Sequence, residues 1–490
     1  MKKIKNIFRD GNQRFKVITG KHSLNEVLVV AIEIGKFNSK GIIADMYGDL
    51  IMHNFQFPNN QRGYRFLTGK IKNASQIADS KLVFIGMEGT GHYHENIALQ
   101  LKSDGFSVEI IHPYDSKHER ENKNAKTDGI DLLSIARMLI TNKGRRSALS
   151  QGIYSKLKVV SRSRRKLVFM RTSLKSRITA LVDRIFPGYW PKEVDDEIFS
   201  DNWGKVSLLI LEHYPHPEKI TMMGVKRLAR FLKKQNTKLG EETARKLVEA
   251  ARNSLSRPFK DMDSHCLTLK CLISIYRTIC KNIEELEREM AVLLIQTPGT
   301  YLLSISGISV IYAAEFMAEV GDIARFSYPK QIMSFAGNVP YVSQSAEYEA
   351  KGLPLTKKGA SGLRPLLNQI ALSLNSHCPQ FGRYYRKKHF EKCDRPGIAR
   401  IATGNKFIRL AFCLIKQQKL FVPQGFDPSL MSYKDYYREV FSRISSRLSN
   451  YKIDPSDLSA MAQAGFSGCE ENYFAKIKSH LEDAYGLNLG

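Results

Sequence analysis

Short apolar, β-branched runs between Val27 and Ile111 constrain the first part of this chain to a sheet-containing fold. They read VLVVAIEI, KGIIADM, KLVFIGM and FSVEII, the second closed by the turn Tyr47-Gly48-Asp49. Runs of this kind bounded by turn signals are strand-like. A helix-length stretch, about Arg62 to Asp79, separates the second run from the third. Residues 128–141, DGIDLLSIARMLIT, read as a further helix, stopped by Asn142, Lys143 and Gly144. The order of hairpin strands, helix, strand, helix, strand suits a ribonuclease-H-like α/β layer.

Acids inside or at the ends of such runs need a reason, because a buried charge without partners is costly. Glu33 lies in the first run, on the face opposite Ile32 and Ile34. Glu88 ends the third, just before Gly89-Thr90-Gly91, where a strand of an α/β sheet opens toward a site. Asp128 and Asp131, three apart at a helix start, project from one face. Taken singly, Asp128 reads as an N-cap, Asp131 as a first-turn acid favoured by the helix dipole, and Glu88 as a turn residue. As a set, four carboxylates supply the hard oxygen ligands that Mg²⁺ takes. Two such ions activate a nucleophile and neutralise a leaving oxygen in phosphodiester chemistry.

With 490 residues the chain exceeds one ordinary core, so two or three domains are expected. Its 75 Lys+Arg against 48 Asp+Glu leave a formal charge of +27, which favours a polyanionic partner by steering and counterion release. Charge alone does not separate DNA from RNA. Lys143 to Arg177 holds twelve Lys or Arg and no acid, with Leu157, Val160, Leu167 and Phe169 interleaved at helical spacing. Arg162, Arg164, Arg165 and Lys166 are therefore candidate phosphate contacts on a one-signed helix face. Leu269, Leu272, Tyr276, Ile279, Ile283, Leu286, Met290 and Leu293 repeat in steps of three and four. Such a seam serves equally an intermolecular coiled coil or an amphipathic helix packed on its own domain.

The run Met1 to Lys16 is basic and lacks a following apolar core, so it reads as an arm and not as a signal peptide. The most apolar long stretch, Leu302 to Val320, carries Glu315 and Glu319, which a lipid-spanning helix tolerates poorly. No membrane span is expected. The seven cysteines form no CxxC pair and read as free thiols of a reducing cytoplasm, without a zinc ribbon. Beyond the seam, Ser306-Gly307-Ile308-Ser309 followed by VIYAAEFMAEVG reads like the hairpin of a helix-hairpin-helix, whose backbone N–H groups hold phosphate. Next, a Gly-rich stretch carries Ser343, Ser345, Thr356, Lys357, Lys358 and Arg364, a polar surface suited to phosphate. From the residues alone no single serine there declares itself a nucleophile.

Taken together, IEIGK, MEGTGHYH, NAKTDGIDLLSIAR, LVDRIFPGYW and the block from PGT through SGIS, AEVGDIARFSYPKQIMSFAGNVP and QSA to GLPLTKKGASGLRPLL resemble a known family. The chain is similar, from about Val27 to about Leu420, to the DEDD transposases of bacterial insertion sequences, relatives of the Piv and MooV DNA invertases. The resemblance implies a RuvC-like domain at 25–145 after a basic arm at 1–24, and a helical or coiled-coil linker at 146–295. A mostly α C-terminal domain at 296–422 and a helical tail at 423–490 complete the expected order. It further implies Mg²⁺-dependent cleavage and rejoining of DNA, with Glu33, Glu88, Asp128 and Asp131 as metal ligands and Ser345 joining covalently to DNA. A structured noncoding guide RNA, dimers or tetramers, and a nucleoid-associated place in a prokaryotic cytoplasm are implied as well. Two departures stand out: Glu33 where the family's first acid is usually Asp, and Ala346 where Gly usually follows the serine. The rival expectations are a structure-specific nuclease that uses the carboxylates without a serine, and a catalytically weakened nucleic-acid-binding relative.

Overall fold

The computed structural model describes residues 22–89, 91–119, 128–142, 146–147, 152–191, 198–235, 240–341, 344–345, 348–349, 354–356, 359–390 and 395–452. The chain divides into two compact units, Met1–Ser150 and Gln151–Gly490.

The first unit is built on a sheet of β1 (Val27–Glu33), β2 (Asn38–Asp45), β3 (Leu50–Pro58), β4 (Leu82–Glu88), β5 (Ser107–Ile111) and β6 (Arg146–Ser147). Their order is β3-β2-β1-β4-β5-β6. β1 pairs antiparallel with β2 and parallel with β4, and β4 pairs parallel with β5. This is the strand arrangement expected of a ribonuclease-H-like layer. The β2–β3 turn is set by Asp45, whose Oδ1 accepts from the N–H groups of Tyr47, Gly48 and Asp49 at 2.8 to 2.9 Å. Gly48 there takes φ +98°, a conformation that costs glycine little.

One sheet face is closed by α1 (Gln61–Ile77) and α2 (His94–Ser103). Leu28, Val30, Ile32, Ile85, Met87 and Ile110 bury there against Leu67, Ile71, Ile97 and Leu101. The other face is closed by α4 (Asp128–Ile140), which follows the short α3 (Pro113–His118). There Val27, Val29, Ala31, Phe84 and Ile111 meet Leu132, Ile135, Ala136 and Leu139. Strands buried on both faces read as continuous apolar runs, which is why β1 and β4 stand out in the sequence. Gly86 lets the helix approach: a Cβ there would lie 2.5 Å from Leu139 Cδ1.

The second unit is helical. α5 (Gly152–Ile185) and α9 (Asp263–Leu294) form its longest pair, with α6 (Lys205–His213), α7 (Pro217–Lys234) and α8 (Glu241–Asn253) between them in sequence. The pair is antiparallel, since Arg164 meets Glu287 while Lys175 lies over the ring of Tyr276. Two apolar cores result. Leu174, Ile178, Val182 and Ile185 of α5 join α6 to α8 and the first part of α9, as far as Ile283. Leu157 of α5 and Met290 to Leu294 of α9 join α10 (Val310–Val320), α12 (Leu363–His377), α14 (Pro396–Gln417) and α15 (Tyr433–Ser449). α11 (Pro329–Phe335) and α13 (Pro379–Lys388) complete this second core. The α9 seam is thus occupied by the chain's own helices, Leu269, Leu272, Tyr276, Ile279 and Ile283 all being buried. The segment expected as a plain linker carries a core of its own. Val440, Ile444 and Leu448 also make the first part of the expected tail integral to the C-terminal core.

Among the described residues no helix is long and apolar enough to cross a membrane. Cys266, Cys271, Cys280, Cys378 and Cys413 are free.

Candidate active site

The strand register aligns two of the four expected carboxylates. Ala31 pairs with Gly86 and Ile32 with Met87, so Glu33 and Glu88 end neighbouring parallel strands side by side. Glu33 alternates with Val29 and Ala31, and Glu88 with Phe84 and Gly86; all four of these residues face α4. Adjacent strands lie about 4.8 Å apart, so the two acids share one edge of the sheet on the α4 side. α4 itself carries Asp131, 2% exposed, and begins at Asp128, whose side chain lies outside the described residues.

Three neighbours of this edge were not singled out in the sequence. Ser116 of α3, fully buried, donates its hydroxyl to Glu88 Oε2 at 2.5 Å. This hydrogen bond orients the carboxylate. His94, which opens α2, is buried, and its ring edge comes within about 4 Å of where a Cβ on Gly89 would stand. Glu109 on β5 is buried and pairs with Gly86, on the same sheet face as Glu33 and Glu88. A short polar hexapeptide gave no sign of Ser116. His94 lay in the string MEGTGHYH without a role.

Carboxylates from two strand ends and one covering helix are the donor chemistry of a hard divalent cation. Among the described residues no three His, Cys, Asp or Glu side chains already stand grouped as a cation site.

In the second unit, Ser345 is the last residue of β7 (Gln344–Ser345) and pairs with Tyr348 of β8 (Tyr348–Glu349). The base of this excursion is pinned. Pro340 bridges Leu355, Tyr341 N–H donates to Pro354 O, and Thr356 N–H donates to Val339 O, the last two at 2.9 Å. Asn405 of α14 also donates to Asn338 O at 3.2 Å. Ser343, Ala346, Lys357 and Lys358 lie outside the described residues, as do the arm at 1–21 and the end of the tail at 453–490. Arg364 is half-buried in the first turn of α12.

The basic helix face reads differently once folded. Arg162 donates to Glu319, Arg164 to Glu287 and Glu315, and Arg165 to Glu315, at 2.8 to 3.3 Å. Arg165 also pairs with Glu319 at 3.6 Å. Three arginines without an acid nearby in sequence are answered by three glutamates from α9 and α10. Arg162, Arg164 and Arg165, expected as phosphate contacts, thus have acid partners within the fold, and their guanidinium groups tie α5 to the C-terminal core. Lys166 remains exposed. The hairpin expected as an open phosphate cradle is also engaged by its own chain. Arg443 and Arg447 of α15 donate to the carbonyls of Ser304, Leu303 and Ile308, and Arg443 also to the Ser306 hydroxyl. Gly307 turns there at φ +91°.

The transposase model DEDD_Tnp_IS110 matches residues 30–187, and the model described as Transposase IS116/IS110/IS902 family matches residues 299–386. The chain belongs to the IS110 family of transposases. Similar relatives of this family of mobile-element proteins are a putative transposase y4qE of Sinorhizobium fredii (strain NBRC 101917 / NGR234) and an insertion element IS116 uncharacterized 44.8 kDa protein of Streptomyces clavuligerus. The first is 35% identical over 82 residues, 17% of this chain and 20% of the relative. The second is 22% identical over 270 residues, 54% of this chain and 65% of the relative. The chain thus spans less than two thirds of the length of either relative.

Proposed function

We propose that this IS110-family protein is a DNA transposase that breaks and rejoins DNA strands, with Glu33, Glu88, Asp128 and Asp131 as one functional set and Ser345 as the nucleophile. The observation that carries the first half is the side-by-side placement of Glu33 and Glu88 on the sheet face covered by α4, the helix that bears both aspartates. The set would hold divalent metal, Mg²⁺ by its oxygen donors, and that metal when bound neutralises charge developing on the phosphate. Ser116 holds Glu88 in one orientation, and burial of Asp131 in the helix–sheet interface fixes its place.

Ser345 Oγ attacks phosphorus, a sugar oxygen leaves, and a serine–phosphate ester results; attack by a second sugar hydroxyl reverses the step and rejoins the strand. A serine hydroxyl needs nearby cations to stabilise the charged phosphorus intermediate, and Lys357, Lys358 and Arg364 supply them along the chain. Lys166 contributes a phosphate contact on α5. The family resemblance supports a guide RNA and assembly of two or four copies as partners, and a cytoplasmic place beside the nucleoid.

Incubation with DNA followed by denaturing electrophoresis tests the reading. Wild type retains DNA bound to protein, Ser345→Ala does not, and Asp131→Asn stops metal-dependent cleavage while binding persists. Cleavage without adducts in both wild type and Ser345→Ala would establish the structure-specific nuclease instead.

A further inference from the structure

A basic surface without acid partners among the described residues lies on α13. Residues 350–426 hold 15 Lys or Arg and two acids, Glu391 and Asp394. Neither acid is among the described residues, so the described parts of this stretch carry no carboxylate side chain. α13 presents Arg383, Arg386 and Lys387 to solvent, and among the described residues none of them pairs with an acid. Arg383 and Lys387 stand four apart, and Arg383 and Arg386 three apart, spacings at which like charges repel. The helix dipole accounts for cations in the last turn, which holds Arg386 and Lys387, but not for Arg383.

Aromatic rings are interleaved with these cations. Lys406 of α14 lies 4.4 Å from the centre of the Tyr384 ring, and burial pushes its ammonium below the ordinary lysine range. Tyr385, His389 and Phe390 form a chain of ring contacts, and Phe390 ends it 70% exposed. A large apolar ring held in water beside unanswered cations suits a base with an open face, which a duplex does not offer.

We infer that the α13 surface, from Arg383 to Phe390, binds an unpaired polynucleotide strand, its phosphates on Arg383, Arg386 and Lys387 and a base stacked on Phe390. This deepens the proposed function by locating where an unpaired strand is held, and it rests on that reading only for the strand being nucleic acid handled during transposition.

The test is fluorescence anisotropy of the full chain with labelled dT20, rU20 and a 20-base-pair duplex across a salt series in EDTA, where no cleavage occurs. Failure of the serine chemistry therefore leaves this result intact. Arg383→Gln, Arg386→Gln and Lys387→Gln combined should lower the salt slope for dT20 by about two, at about 0.7 per single-strand phosphate contact. Phe390→Ala should weaken dT20 binding by about tenfold and leave the duplex unchanged, while Phe390→Tyr retains binding. The ratio of dT20 to rU20 identifies which strand chemistry is preferred. Circular dichroism confirms that each variant is folded. An unchanged slope in the triple variant, or equal losses on strand and duplex in Phe390→Ala, overturns the inference.

Discussion

Glu319 offers the sharpest test of how α5 is fastened to the C-terminal core. Its side chain is 1% exposed and receives both Arg162 and Arg165. With Arg164, Glu287 and Glu315 the cluster comprises three cations and three anions. Glu319→Gln keeps the shape but leaves the cluster with one uncompensated positive charge. Breaking a buried pair from one side costs about 3–5 kcal/mol. Arg162 is 51% exposed and regains water, which discounts the loss, so about 2–3 kcal/mol is expected. Urea unfolding followed by far-UV circular dichroism measures it, with thermal melting expected to fall by on the order of 5 °C. Arg162→Gln combined with Glu319→Gln restores neutrality and should recover part of the loss, giving a coupling of about 1 kcal/mol or more. A Glu319→Gln protein within about 0.5 kcal/mol of wild type would refute the claim that these arginines are structural. So would an Arg162→Gln protein that keeps its stability but loses about one unit of DNA-binding salt slope.

Gly362→Ala should destabilise by about 1–3 kcal/mol in the same unfolding assay, because its Cβ would stand 2.3 Å from Glu319 Oε1 and 2.5 Å from an Arg165 guanidinium nitrogen. Ser116→Ala should lower metal-dependent cleavage while adducts formed by Ser345 keep their dependence on that serine, since Ser116 acts by orienting Glu88; unchanged cleavage rates would remove that role. Glu33→Ala should be inactive and Glu33→Asp active in strand cleavage, whereas equal activity of all three forms would leave Glu33 structural. Lys406→Met should stabilise the fold, because burial disfavours the charged lysine. The folded-state value lies below the unfolded one, so the unfolded state binds more protons in that window and wild-type stability rises as pH approaches the ordinary lysine range. A pH-independent difference between the two proteins would contradict this.

The sheet's central strands were legible because burial on both faces writes them as unbroken apolar runs, and Glu33 and Glu88 stood out as acids within them. β3 was not: its LIMHNFQFP is largely exposed at the sheet edge, and His53, Asn54 and Gln56 interrupt any alternation. α6 to α8 were passed over as linker because their apolar positions are scattered among charges and answer to residues distant in sequence. The acids that answer the α5 arginines were hidden for the same reason. A run without local acids looks one-signed, yet Glu315 and Glu319, more than 140 residues on, were noted only as polar interruptions of an apolar stretch. Ser116 was invisible because its partner, Glu88, lies in another element, and nothing in PYDSKH marks it.

α5 and α9 each run through both apolar cores of the second unit. At 1.5 Å per residue, their 34 and 32 residues make a paired rod about 50 Å long. A rod gripped at both ends transmits tilt: five degrees at one core displaces the other by about 4 Å, close to the spacing of neighbouring strands. Strand-scale movement of the C-terminal core therefore requires only a slight reorientation of α6 to α8, and a partner that grips those helices gains leverage over a core it never touches.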